Sequence, residues 1–392
     1  MLPLKGIKVL DFSQNGDGPV CALMLAEAGA DVIKIESPGG DPFRRGVTFI
    51  TFNNINRNKR GLCLDLNSRE GREIAHRLAR NADIIIESFT PGVADTLGIG
   101  HRELNSINPR IIYCSLSGFG QTGPSRQKPA YDPVVHAMSG LMAVTGEPDR
   151  PPIRIAPNVV GLPTAFLAAY NVLLAVMVRE KTGRGQIVDA AFFDTAIFLM
   201  SPFISGHALT GYVAPKMGSA SPAFAPYQCF QSADRYVFIG VTNNKFWKAF
   251  CAALGLDELA DDPRYDTLES RQLHRDELVA RMAAHLKKLP GDEILRKLEE
   301  AGVPCAPVLE IPELLENPQV KARQVFFDME YPGLGRVKLS HIPARASGLD
   351  PVENVRAPEL GEHSREILLE AGYSISEIDS FAAKRVILEH GK

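Results

Sequence analysis

The first 120 residues repeat one pattern: a short apolar β-rich run, a helical segment, then another such run. "IKVLDF" (7–12) reads as a strand, and "PVCALMLAEAGA" (19–30) as a helix that stops near a glycine. "DVIKIE" (31–36) is the next strand, and "SREGREIAHRLAR" (68–80) opens with a Ser cap and puts Ile74 and Leu78 on one face. "ADIIIESF" (82–89) and "RIIYCSLSGFG" (110–120) are further buried strands. Strands that alternate with helices build βαβ units, so the expected class is α/β with a largely parallel, Rossmann-like sheet. Ligands on such sheets lie beyond the carboxyl ends of the strands. Those ends here are Ser13 to Gly18, Glu36 to Gly40, Ser88 to Gly92 and Ser117 to Gly123, all rich in Gly, Ser and Pro as binding loops tend to be.

The rest of the chain divides less evenly. "GQIVDAAFFDTAIF" (185–198) reads as a strand leading into a helix, and residues 201–225, rich in Gly, Ser, Pro and Ala, read as a linker. "RYVFIGV" (235–241) starts a second unit that continues through charged helical sequence. The expected organisation is a large domain from 1–200 and 325–392, and a small α/β domain over 226–324. A chain of 392 residues with 45% apolar and 23% charged content suits about two soluble domains. The net charge of −3 sets up no basic field, so nucleic acid is not an expected partner. The six cysteines (21, 63, 114, 229, 251 and 305) show no CxxC pair and no metal spacing, which fits reduced thiols and no metal. The first residues run straight into strand pattern without the features of a signal peptide. Leu162 to Val178 is uncharged but shorter than the roughly 20 residues of a membrane span. A cytoplasmic protein with no membrane partner is therefore expected, with this apolar run as a core helix.

Familiar catalytic signatures are missing. No GxGxxG follows the first strand, where the loop reads "SQNGDGP"; no P-loop, HExxH or GxSxG occurs. Arg44, Asn58, Lys59 and Arg60 group near strand ends, and by composition they are either a solvated surface or a phosphate site. "KTGRGQ" (181–186) reads as a helix C-cap and turn.

Taken in order, "LKGIKVLDFS", "LAEAGADVIKIE", "NNINRNKRGLCLDL", "ADIIIESFTPGVADTLGIG", "INPRIIYCSLSGFGQTGP", "AYDPVVHAMSGLMAVTGE", "REKTGRGQIVDAAFFD", "AGVPCAPVL" and "PELGEHS" resemble the class III CoA-transferase family, which includes formyl-CoA and carnitine CoA-transferases and 2-methylacyl-CoA racemases. The resemblance spans about residues 4 to 375. It implies a Rossmann-like large domain built from both chain ends, a small domain, and two subunits interlocked like links. It implies coenzyme A or acyl-CoA as substrate, a carboxylic acid as co-substrate, and no permanently bound cofactor. The adenine-side positions fall on Ser37, Leu64, Ser88, Phe89, Thr96 and Leu97, with Arg44, Lys59, Arg60 and Lys128 as sources of positive charge.

The family's transferases use an Asp nucleophile at the start of the helix that precedes "REKTGRGQ". Counted back without a gap, that position is Gly161, in "VVGLPT". Tyr131 and Asp132, in "AYDPV", match a Tyr-acid pair that orients the site. A racemase would carry His at 131, so racemisation is disfavoured. His136, one turn beyond Asp132, reads as structural. Asp17, in "NGDGP", lies in a loop that lines the active site in relatives, many of which carry Ala or Ser there. It reads either as a turn-stabilising residue or as part of the chemistry. Substrate choice is expected to rest on Gly16, Asp17 and the loop at 217–226.

Gly161 leaves three readings open. The chain is the nucleophile-less subunit of a heteromeric transferase, as in the benzylsuccinate CoA-transferases; or a stand-alone acyl-CoA enzyme with a non-covalent route; or a non-catalytic CoA-binding scaffold. Its partner is accordingly a second copy of itself or a homologous subunit. Because a helix start favours a carboxylate, Gly161→Asp is expected to fold.

Overall fold

Residues 1–331, 335–344 and 346–391 are described by the structure, a computed structural model. The alternation in the first third folds as a parallel sheet. Its strands are β1 (Lys8–Asp11), β2 (Asp31–Glu36), β3 (Arg60–Leu64), β4 (Ile84–Glu87), β5 (Ile112–Ser117) and β6 (Ile187–Ala191). They lie in the order β3-β2-β1-β4-β5-β6, and the short strand Ile387–Leu388 closes the β3 edge antiparallel. Val9, Ile84, Ile85, Ile86 and Cys114 are wholly buried, as expected when helices cover both faces of a parallel sheet. The chain winds outward from β1 to β3, then crosses back to β4. The sheet's switch point, where ligands of such folds bind, therefore lies between the carboxyl ends of β1 and β4.

Four helices frame that end: α1 (Asp17–Glu27), α2 (Asp132–Ser139), α3 (Gly161–Thr182) and α4 (Phe192–Leu199). The apolar run is α3, 22 residues long, and it is only half a core helix. Ala165, Ala168, Ala169, Val172 and Ala175 pack with Val20, Cys21, Ala22, Leu25 and Ala26 of α1 in one core cluster. Small side chains on both helices let the two backbones approach closely. Leu167, Tyr170, Leu173, Leu174, Met177 and Val178 face outward instead. Gly183, at φ 71°, ends the helix, and its N–H donates to Arg179 O at 2.7 Å. "KTGRGQ" is thus the turn its glycines suggested, with Arg179 and Lys181 at the negative end of the dipole.

The chain forms two compact units, the first comprising Met1–Ser139, Ile155–Ser201 and Gln324–Lys392. The second comprises Gly140–Arg154 and Pro202–Arg323. Its three-stranded antiparallel sheet (Tyr227–Gln231, Tyr236–Gly240, Cys305–Pro307) packs with helices Asn244–Leu254, Arg275–Leu286 and Gly291–Glu300 around Trp247 and Phe250. Two details differ from the sequence expectation. Residues 201–225 are not a plain linker, because helix Ser201–Thr210 lies within them and the segment from Pro202 belongs to the second unit. Gly140–Arg154, counted with the large domain, also belongs there; the N–H of Gly218 donates to Gly146 O at 2.8 Å.

Candidate functional site

The loops after β1, β4 and β5 meet at the switch point. The Gln14 N–H donates to Ser88 Oγ at 2.9 Å, tying the first loop to the second. Gly18 makes this closeness possible: a Cβ there would stand 2.3 Å from Ser13 Cβ and 3.2 Å from Ser88 Cβ. A larger residue would push the two loops apart, and with them the start of α1.

Three helices begin around one point. Asp17, Asp132 and Gly161 are the first residues of α1, α2 and α3. Asp132 is buried, and its Oδ1 accepts from the backbone N–H groups of Val160 at 3.0 Å and Gly161 at 2.7 Å. A carboxylate at those amides satisfies two otherwise orphan donors and faces the positive end of the α3 dipole. Asp132 Oδ2 lies 2.6 Å from His136 Nε2, off the line of a hydrogen bond. His136 is buried beside Asp132, one turn along α2.

Asp17 has the opposite character. Its carboxylate covers Gly161: a Cβ on that glycine would lie 2.4 Å from Oδ1 and 2.6 Å from Oδ2. Asp17 Oδ1 is buried and has no hydrogen-bond partner among the described residues. Burial, reinforced by the charge of Asp132, pushes its carboxyl up to about 6. Two neighbouring carboxylates thus sit in contrasting environments, one held by two amides of α3 and one with an oxygen that meets no donor among the described residues. Gly161→Asp, expected to fold, requires the Asp17 side chain to turn aside, since Asp17 already holds the space.

A cavity opens over this point. Asp17, Ser88, Lys128 and Tyr131 line it together with Gln14 and Arg126. Tyr131 is 72% exposed and reaches the cavity with its ring free. Beside it, Ser37, Leu64, Phe89 and Leu97 line a smaller cleft with Phe12 and Ile35; Gln14 and Phe89 border both spaces. Of the adenine-side positions, Thr96 alone lines neither; its hydroxyl donates to Gly92 O at 3.1 Å on the surface. Gly16 lines the cavity too.

Three of the four expected cations are corrected. Arg44 is clamped by Glu36 through two hydrogen bonds of 2.7 Å and also donates to Pro358 O. Lys59 is wholly buried, and its ammonium donates to Asp11 Oδ2 at 2.8 Å, Pro19 O at 2.9 Å and Asn56 Oδ1 at 2.9 Å. Arg60 is shared by Asp31, Glu366 and Glu370. Their charges are spent on the chain's own acceptors and are not free for phosphate. Asn58 is a backbone tie, accepting from the Val355 N–H at 2.6 Å. Lys128 remains exposed at the cavity, and Arg126, which sequence reasoning passed over, stands with it; neither side chain forms an ion pair among the described residues. The signal was present in "GPSRQKP", where two cations flank one glutamine in a loop after β5. Among the described residues no three His, Cys, Asp or Glu side chains gather as a metal site.

Comparisons with known proteins place the chain in a family. The family model described as CoA-transferase family III matches residues 4–364. The chain is 35% identical over 395 residues to the succinyl-CoA–D-citramalate CoA-transferase of Chloroflexus aurantiacus, covering 98% of each. It is 34% identical to the succinyl-CoA:mesaconate CoA-transferase of Haloarcula hispanica, over 94% of this chain and 96% of that one. Among solved structures, a CAIB/BAIF family protein from Brucella suis superposes with a TM-score of 0.85 at 34% identity, covering 94% of this chain and 99% of that chain. With sequence and fold matching along nearly the whole length, this chain belongs to CoA-transferase family III.

Proposed function

We propose that this chain moves coenzyme A from succinyl-CoA to a small dicarboxylic acid. The observation that carries the reading is the near-full-length likeness to two transferases whose names give succinyl-CoA as one substrate and a dicarboxylate as the other. The site supports it. The apolar cleft of Leu64, Phe89 and Leu97 suits the adenine end of the thioester, and the cavity at Asp17 and Tyr131 suits its reacting end. Arg126 and Lys128 supply positive charge for substrate anions there. The outward apolar face of α3 supports a dimer, in line with the interlocked pair that the family resemblance implies.

A second reading has one observation in its favour. Gly161 offers no side chain at the family's nucleophile position, so the chain would serve as the nucleophile-less subunit of a heteromer. One assay separates the two. The purified chain is given succinyl-CoA with D-citramalate, mesaconate or glutarate, and new thioesters and free succinate are followed. The first reading expects one new acyl-CoA per succinate released by the chain alone. Turnover only after a homologous subunit is added establishes the second, and no transfer in either arrangement refutes both.

A further inference from the structure

The family position for a nucleophile is empty in this chain, yet the space that its side chain would fill is not. The Asp17 carboxylate stands 2.4–2.6 Å from where a Cβ on Gly161 would be. A carboxylate at 161 and one at 17 therefore exclude each other in this arrangement, and the chain has the second without the first. We propose that Asp17 is the nucleophile of this transferase, delivering from the start of α1 the carboxylate that its relatives deliver from the start of α3. The proposal rests on the transferase reading above and opposes the heteromeric one.

Three observations favour Asp17 over the neighbouring acid. Asp132 Oδ1 accepts from two amides and its Oδ2 packs against His136, so the group is held in place at the start of α3. Asp17 Oδ1 has no partner among the described residues. Asp17 lines the cavity, whereas Asp132 and Gly161 do not. Burial also leaves the Asp17 anion poorly solvated, yet with a carboxyl near 6 it is ionised at neutral pH. An ionised carboxylate with an unpartnered oxygen, on a residue that lines the cavity, is what nucleophilic catalysis requires.

The chemistry balances without any co-reactant. An Asp17 carboxylate oxygen attacks the thioester carbonyl carbon of succinyl-CoA; the C–S bond breaks and CoA leaves as thiolate, giving an aspartyl–succinyl anhydride. The thiolate then attacks the aspartyl carbonyl of that anhydride, releasing succinate and forming an Asp17–CoA thioester. The acceptor carboxylate attacks this thioester carbonyl, expelling the thiolate again and leaving an aspartyl–acyl anhydride. Attack of the thiolate on the acyl carbonyl gives the new acyl-CoA and restores the Asp17 carboxylate. No net proton or electron is exchanged.

The test combines trapping with a swap. The full chain is incubated with succinyl-CoA and hydroxylamine, without acceptor, and its peptides are mapped for an aspartyl hydroxamate. Transfer is then measured for the unmodified chain, Asp17→Ala, and the double variant Asp17→Ala with Gly161→Asp. The expected results are a hydroxamate on Asp17, a loss of on the order of 10³-fold or more in kcat for Asp17→Ala, and at least partial recovery in the double variant, where the carboxylate returns from the other helix. Recovery excludes a merely structural role for Asp17 and keeps the test open if the single variant folds poorly. Transfer by the unmodified chain with Asp17 unlabelled, or Asp17→Ala within about tenfold of it, overturns the proposal and leaves the transferase reading intact. A hydroxamate on Asp17 without transfer to D-citramalate, mesaconate or glutarate supports Asp17 as the nucleophile and overturns the small dicarboxylic acid as acceptor. Absence of both label and transfer overturns proposal and reading together.

Discussion

At the scale of single residues, the site turns on how two carboxylates are held. The carboxyl of Asp17 titrates near 6 in the fold against 3.8 in an open chain, because it is buried and faces Asp132. Between those values the folded protein keeps a proton that the unfolded chain has already lost. Stability therefore falls as pH rises from about 4 to about 6, and above that the whole penalty is present, at most about 3 kcal/mol. Asp17→Ser removes the penalty. Its urea midpoint should lie above that of the unmodified chain at about pH 8, with the gap narrowing toward about pH 5. Activity should move the other way: kcat/KM of the unmodified chain should rise with pH through about 6 as Asp17 ionises. A residue that costs stability where it is ionised and is needed for rate is the stability–activity trade-off in one side chain. Equal midpoints at both pH values would show that Asp17 is better solvated than its position over Gly161 implies.

At the scale of elements, the relation between Asp17 and Gly161 is set by how closely α1 and α3 pack. Ala168 is wholly buried between them, in a cluster with Val20, Cys21 and Ala22. Ala168→Leu adds volume with nowhere to go, so it should destabilise by about 1–3 kcal/mol and move the two helix starts apart. Urea unfolding checks the first effect. A fall in kcat larger than the change in KM checks the second, since a displaced nucleophile harms the reacting geometry more than binding. This scale also shows what the sequence makes legible. The sheet was readable because β-rich runs and caps such as Ser68 are local signals, and Ser68 does accept from the Gly71 N–H at 3.0 Å. The family motifs brought Asp17, Tyr131, Asp132 and Gly161 into view, but their arrangement is long-range: no spacing says that the side chain of residue 17 ends against residue 161. The three cations fail because their partners cannot be read from composition, two of them across long stretches of sequence and Arg44 across eight residues. Lys59 meets Asp11, Arg44 meets Glu36 and Arg60 meets Glu370, pairs that the sequence separates by up to 310 residues. A charge read from composition cannot be told from one already neutralised.

At the scale of the whole molecule, α3 presents an apolar face that the first unit does not cover. Tyr170 is 57% exposed, Met177 61%, and Leu173 and Leu174 40% each, all on one helix. Scattered apolar residues on a surface mean little, but a contiguous stripe this long is costly to leave in water and marks an interaction surface. The face is dominated by flexible or large residues rather than alanine, while the alanine face stays against α1; we propose that a second copy covers it. The purified chain should therefore run in solution at twice its 42.8 kDa mass in light-scattering chromatography. Replacing Leu174 and Met177 together by Glu places two charges in that interface, and the variant should run at the mass of one chain over micromolar concentrations. Loss of transfer activity along with dimerisation would mean that the second copy completes the site; retained activity in the single chain would confine catalysis to the first unit's own cavity. An unmodified chain that already runs as a monomer would show that the α3 face is not an interface between copies.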